Sequence, residues 1–98
     1  MLKLPMVMLL HQTPVGSHFD WLLADPGEPG GRLWSARCGF KAEDWPKAGC
    51  LLLERLPAHR RRYLTYEGPL APVVDQQGRM QPRGWVRQVD KGWFEPTL

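Results

Sequence analysis

The chain has three histidines, at positions 11, 18 and 59, and two of them bracket a short segment that ends in a carboxylate. That segment reads His11-Gln12-Thr13-Pro14-Val15-Gly16-Ser17-His18-Phe19-Asp20. Pro14 and Gly16 are turn formers, so His11 is expected to end one strand and His18 to begin the next. Across such a hairpin the facing Cβ atoms come within roughly 5 Å. Asp20 shares the face of His18, about 7 Å farther along the strand. Imidazole and carboxylate arms span that gap to meet at one ion with bonds of ~2.0–2.2 Å. His11, His18 and Asp20 thus form a candidate metal set of two nitrogens and one oxygen with open coordination positions. Mn²⁺, Zn²⁺ and Fe²⁺ all suit these ligands, and the residue types do not choose among them. A metal held this way polarises a phosphoryl oxygen or draws hydroxide from water. H-x-D alone is a weak pattern, and the plain alternative is three imidazoles with no common task.

A second group runs from Leu56-Pro57-Ala58-His59 through Arg60-Arg61-Arg62-Tyr63 to Tyr66-Glu67-Gly68-Pro69. In a helical turn His59 and Tyr63 lie on one side. If extended, they share a face about 13 Å apart. His59 is a candidate acid/base or phosphate contact and Tyr63 a hydroxyl donor. Arg60, Arg61 and Arg62 supply positive charge for a phosphate, although an arginine triplet is ordinarily a solvated face. The five tryptophans suit base stacking, yet in so short a chain they more often build the core. Glu67 and Asp90 read as strand-end turn residues.

The elements that position these groups must be short. Ten Gly and ten Pro among 98 residues imply many turns, which excludes a helical bundle or a long coiled coil. Six apolar stretches are expected as strands, over residues 4–11, 18–24, 32–39, 49–56, 61–67 and 84–90. Residues 25–31 read as a hairpin loop, Trp45-Pro46 sits in another, and Pro57 is expected to end the fourth strand. A single helical turn over 57–62 is the alternative start to the fifth. Phe19, Trp21 and Leu23 form a wholly apolar face expected to be core, opposite His18, Asp20 and Leu22. The pattern predicts an all-β domain over residues 1–98, a small closed or partly open β-barrel of about six strands with short helical turns.

Thirteen Lys/Arg against ten Asp/Glu give a net charge of +3, compatible with an anionic partner without requiring one. Cys38 and Cys50 form no CxxC pair and are too few for a disulfide scaffold. Residues 4–10 are too short an apolar run for a membrane span and lack a signal cleavage site. A cytoplasmic monomer with reduced thiols, free of membrane, is therefore expected.

The order of these motifs resembles the 3′-phosphoesterase domain of bacterial DNA ligase D, and more closely its short stand-alone relatives. The matched features are His11; His18-Phe19-Asp20; Leu33-Trp34; His59 through Tyr63; Glu67-Gly68-Pro69; and the series Gly84, Val86, Asp90, Gly92. They span about residues 6–95. The resemblance implies a compact β-barrel with a divalent metal, usually Mn²⁺ (Zn²⁺ being the second choice), held by His11, His18 and Asp20. It implies removal of 3′-phosphates and 3′-ribonucleotides from DNA or RNA/DNA ends in repair, alongside ligase or polymerase proteins. His59 and Tyr63 would contact the scissile phosphate.

The chain departs from the family at Gln12, usually Asp, and at Leu22, usually Arg. The spacing from His11 to His18 is one residue longer than usual, and an N-terminal segment with further Arg and acidic residues has no expected counterpart. Arg37 and Arg61 are the expected phosphate contacts. Two other functions compete. One is a non-catalytic metal and nucleic-acid binding module or repair-complex partner. The other takes His18, Asp20 and His59 as the iron triad of an oxygenase.

Overall fold

The structure is a computed structural model that describes residues 3–38 and 53–96. Three long strands follow one another as antiparallel hairpins: β1 (Leu4–Thr13), β2 (Gly16–Asp25) and β3 (Glu28–Cys38). The first turn places Pro14 and Val15 between Thr13 and Gly16, whose Cα atoms are register partners. Thr13 ties it: its hydroxyl donates to the Gly16 carbonyl at 2.8 Å and accepts from the Val15 amide at 3.3 Å. At the second turn the Asp25 carboxylate accepts from the Gly27 amide at 2.8 Å, the side-chain mimic of a backbone turn. That tight turn leaves Glu28 to Gly31 in β3, so the loop expected over 25–31 is shorter than composition suggested.

β4 (Glu54–His59) pairs with β3, and β8 (Trp85–Phe94) pairs with β1. With β5 (Gly68–Pro69) they form one antiparallel sheet in the order β4-β3-β2-β1-β8-β5. A separate hairpin joins β6 (Val73–Val74) to β7 (Met80–Gln81). The molecule is all-β, as expected, but the sheet does not close: no pairing joins β4 to β5 among the described residues, so the expected barrel is corrected to an open sheet.

Other expectations change in detail. Pro57 lies inside β4 rather than ending it. β4 is an edge strand with an irregular register, from Leu56 opposite Ser35 to His59 opposite Leu33, and such an edge tolerates a residue without an N–H. The expected fifth strand over 61–67 is instead a 3₁₀ turn, Arg61–Leu64. It is closed by amide donation from Tyr63 to the Arg60 carbonyl at 3.1 Å and from Tyr66 to the Arg62 carbonyl at 3.0 Å. The Trp45-Pro46 loop, Cys50 and the first residues of the expected fourth strand lie outside the described residues.

The reason for the turn is the core. Val7, Leu9, Leu22, Leu33 and Val86 form a buried cluster on one face of the sheet, and Tyr63, Leu64, Tyr66 and Leu70 pack over it. An extended 61–67 segment would put Tyr63 and Leu64 on opposite sides rather than bring Tyr63, Leu64 and Tyr66 down together. Burying Leu22 completely is worth about 1.5–3 kcal/mol.

The face expected to be core, Phe19, Trp21 and Leu23, is only half-buried, while Leu22 and Asp20 on the other side are buried. The opposite face is partly covered as well. Met8, Ala36 and Cys38 are buried there, Trp21 meets Trp34 edge-on at 6.0 Å, and the Arg55 guanidinium lies 4.6 Å over the Trp34 ring.

Candidate metal centre

The β1–β2 register sets His11 directly opposite His18, and the β2–β3 register sets Asp20 opposite Arg37. Alternation puts Val7, Leu9 and His11 on one face of β1, and His18, Asp20 and Leu22 on the same side of β2. The apolar core therefore runs directly into a polar cluster.

Three side chains converge there. His11 Nδ1 lies 3.2 Å from His18 Nε2 and 3.5 Å from Asp20 Oδ2, and His18 Nε2 lies 3.1 Å from Asp20 Oδ1. Ligands bound at ~2.1 Å to one ion stand about 3.0 Å apart at right angles and about 3.4 Å apart at the tetrahedral angle. The two ring nitrogens, 3.2 Å apart, match that spacing; the two imidazoles meet different oxygens of Asp20, and with one ligand atom from each residue all three lie within 4.8 Å of one another. Among the described residues, His11, His18 and Asp20 are the group able to hold a metal.

The proton positions fit the same picture. His11 Nε2 lies 2.9 Å from the Arg83 carbonyl, which can only accept, so Nε2 carries the hydrogen. The neutral ring then presents Nδ1 as a lone pair toward the other two side chains. A carbonyl fixing the outer nitrogen of a ligating imidazole is the usual support of a metal site. The contact between the rings is then donated by His18 Nε2–H, a hydrogen that an ion bound at the centre would displace. Asp20 is 4% exposed, and its Oδ1 faces His18 Nε2 at 3.1 Å without a well-formed hydrogen bond. A buried carboxylate oxygen satisfied so weakly is costly, and a cation at the centre of the three would offset that cost.

Burial holds the His18 pKa below the usual imidazole value. The charge of Arg37, and that of His11 when protonated, push the same way, and Asp20 opposes them in part. The result favours a neutral ring, the form that ligates.

Arg83 reaches His11 because Gly84 permits it. Gly84 has φ +80°, and a Cβ there would run into the Gln12 carbonyl. The backbone ahead of β8 is thereby laid against the end of β1, where Gly84 also accepts from the Leu70 amide at 2.8 Å.

The cluster forms part of the wall of a cavity of about 800 Å³ that is also lined by Arg32, Arg37, Arg60, Arg62 and Arg83. Among the described residues that line it, Asp20 is the one acidic group. Comparison with protein-family models, curated proteins and solved structures finds no match. The chemistry of the site accordingly rests on its own geometry.

His59 and Tyr63 both line the cavity, their rings 5.9 Å apart and edge-on. The turn after β4 produces that proximity, as the helical alternative required. His59 Nδ1 donates to the Pro57 carbonyl at 3.0 Å, leaving Nε2 of a neutral ring as the acceptor. His59 is not in the metal-capable group, so the oxygenase set of His18, Asp20 and His59 is not the one formed. Arg37 lines the cavity and lies 3.7 Å from Glu54 across an exposed pair.

Arg61 is not among the lining residues, whereas its neighbours Arg60 and Arg62 are. The 3₁₀ turn separates the three directions of that triplet. The Arg62 guanidinium lies 4.4 Å over Tyr66 and 5.5 Å over Tyr63. Arg32, Arg83 and Tyr66 were not picked out by sequence reasoning, because only the packing of β3, the 3₁₀ turn and the approach to β8 gathers them.

Proposed function

We propose that this chain is a metal-dependent phosphoesterase-like domain acting on nucleic-acid 3′ ends, removing a 3′-phosphate or a 3′-ribonucleotide in DNA repair. The observation that carries this reading is a triad whose ligand atoms lie within 4.8 Å of one another, set in the wall of a cavity bearing five arginines. Guanidinium groups bind phosphate oxygens in pairs, and their number matches a polyanionic strand better than a lone phosphate.

His11, His18 and Asp20 hold a divalent ion, Mn²⁺ by resemblance with Zn²⁺ as the second choice. A bound divalent ion supplies Lewis-acid polarisation of a phosphoryl oxygen. Arg32, Arg37, Arg60, Arg62 and Arg83 attract and orient the strand. Tyr63 offers a hydroxyl to a phosphate oxygen, and His59 Nε2 is the proton carrier. The cytoplasm is the compartment, with a repair ligase or polymerase as the companion protein.

The test is a pair of primer–template duplexes, one ending in a 3′-phosphate and one in a 3′-ribonucleotide, incubated with Mn²⁺ beside an active ligase D domain. Cleavage of either duplex supports the reading. Inertness on both, while the reference domain cleaves them, overturns it.

One observation favours a second reading, that of a binding module without turnover. Leu22 occupies the place of a family arginine and is fully buried in the core, so that position delivers no charge to the site. This reading predicts salt-dependent DNA binding without product.

A further inference from the structure

The sheet ends unevenly on the side of β8. Among the described residues β5 pairs only with Trp85 and Val86, so the strand from Arg87 onward is an open edge. Pro5 shows which backbone groups that edge presents. It is the register partner of Trp93 and has no N–H to give, so Trp93 turns its own N–H and C=O away from β1. Lys91, and Glu95 just past the strand, lie two residues to either side and point the same way. The Lys91 amide donates to the neighbouring Asp90 carboxylate at 2.8 Å rather than to a strand. Gln88 faces Leu9, of the same parity as Pro5 on β1, and its amide likewise donates outward, to Glu67 at 3.0 Å.

Two side chains along this edge have no explanation within one copy. Trp93 stands on the face of Val7 and Leu9, yet it is 65% exposed. Gly92 has no positive φ, and a Cβ there would meet Met6 Cε at an ordinary 3.5 Å. Neither backbone conformation nor packing asks for glycine at that point, and glycine weakens a strand.

We propose that β8 is a dimerisation edge, and that its occupant is a second copy of this chain paired antiparallel about a two-fold axis at Trp93. A two-fold contact must be self-complementary, and this register meets that demand. The two Trp93 rings face each other at the axis, the central position where tryptophan anchors an interface best. Lys91 of each copy faces Glu95 of the other on the same side of the sheet, so opposite charges flank the indoles twice. On the reverse side Phe94 lies across from Gly92 of the second copy, where the bare backbone gives an aromatic ring room. The outward amides and carbonyls of residues 91, 93 and 95 complete the ladder.

The register irregularity at Val89 lies between Asp90 and Gln88, outside the paired stretch, so it does not disturb the new ladder. The local dyad of an antiparallel ladder is perpendicular to the sheet, and both arginine cavities therefore open on one side of a continuous sheet. Residues 91–95 are a shorter stretch than the roughly 20–30 residues a side of a stable interface, so dimer and monomer exchange rapidly. This dimer takes the place of the monomer expected from the sequence, and it stands independently of the phosphoesterase reading.

Sedimentation velocity of the whole chain over rising concentration, read beside amide hydrogen exchange, tests the proposal. The sedimentation coefficient is expected to climb from monomer toward dimer while the Lys91 and Trp93 amides gain protection. Lys91→Glu sets like charges against each other twice and is expected to weaken association about tenfold. Adding Glu95→Lys exchanges the two charges and restores the parent behaviour. Both positions are exposed, and melting midpoints equal to the parent's show that the variants fold. A chain that stays monomeric at ~1 mM, the weak end of specific association, overturns the proposal. So does a dimer in which Lys91 and Trp93 gain no protection, one that Lys91→Glu leaves intact, or one that the double exchange fails to restore.

Discussion

The Nε2–H of His11 donates to the carbonyl of Arg83 at 2.9 Å across 72 residues of chain. This bond fixes the His11 tautomer, aims Nδ1 at His18 and Asp20, and ties the start of β8 to the end of β1. It exists because Gly84 lets the two backbones approach.

Gly84→Ala is therefore expected to lose stability and metal affinity together. The positive φ alone costs about 1–3 kcal/mol, and the clash with Gln12 adds to that. Thermal denaturation should show a midpoint lower by roughly 4–8 °C for each kcal/mol. A variant that melts with the parent would refute the close approach.

Asp20→Asn separates a ligand from a structural carboxylate. If Asp20 served the fold, its replacement would destabilise the chelated protein. The weakly satisfied Oδ1, 3.1 Å from His18 Nε2, argues the reverse: stability in chelator stays level or rises, because a poorly compensated buried charge is gone. Stabilisation by Mn²⁺ or Zn²⁺, about 2.7 kcal/mol at a hundredfold excess over Kd for the parent, should vanish in Asp20→Asn and in His11→Ala. Calorimetry with and without metal measures both halves.

His18 should titrate below the usual imidazole value of 6.5 in chelated protein, since burial, Arg37 and His11 outweigh Asp20. A lowered folded pKa means that the unfolded chain binds the proton more readily. This contribution to stability is complete above pH 6.5 and is lost as pH falls through the lower folded value. Arg37→Ala should move the His18 midpoint upward. Imidazole proton shifts followed against pH give the answer, and an upward-shifted parent His18 would contradict the burial argument.

Asp75 has its carboxyl held below the ordinary value by the amide of Arg79 first, then by the side chain of Gln81, with the Gln77 amide adding to them. Its contribution is present above the unfolded value of 3.8 and fades as pH falls through the folded one. The β6–β7 hairpin should fray at acid pH, and Asp75→Ala should fray it at neutral pH. Faster amide exchange at Arg79, with the β1–β2 amides unchanged, is the expected signature.

Much of the centre was legible because a strand and its turn are local objects. Pro14 and Gly16 announced the hairpin, and the two-residue repeat placed His18 and Asp20 on one side, so the convergence of His11, His18 and Asp20 followed from spacing. Where Pro57 sat was misread because an edge strand tolerates what a central strand does not. The 61–67 segment departs from a strand because Tyr63, Leu64 and Tyr66 answer to the core beneath rather than to their own pattern.

The sequence by itself determined the all-β character, the β1–β2 hairpin and the identity of the three converging side chains. Each follows from backbone geometry over a few residues. Tertiary structure decided which face was covered, and so buried Leu22 and Asp20 rather than Phe19, Trp21 and Leu23. It also decided that His11 rather than His59 completes the triad, and that Arg32, Arg60, Arg62 and Arg83 share one cavity with Arg37. Alternation says which side chains travel together, but the side that is buried depends on what distant segments bring to lie against it.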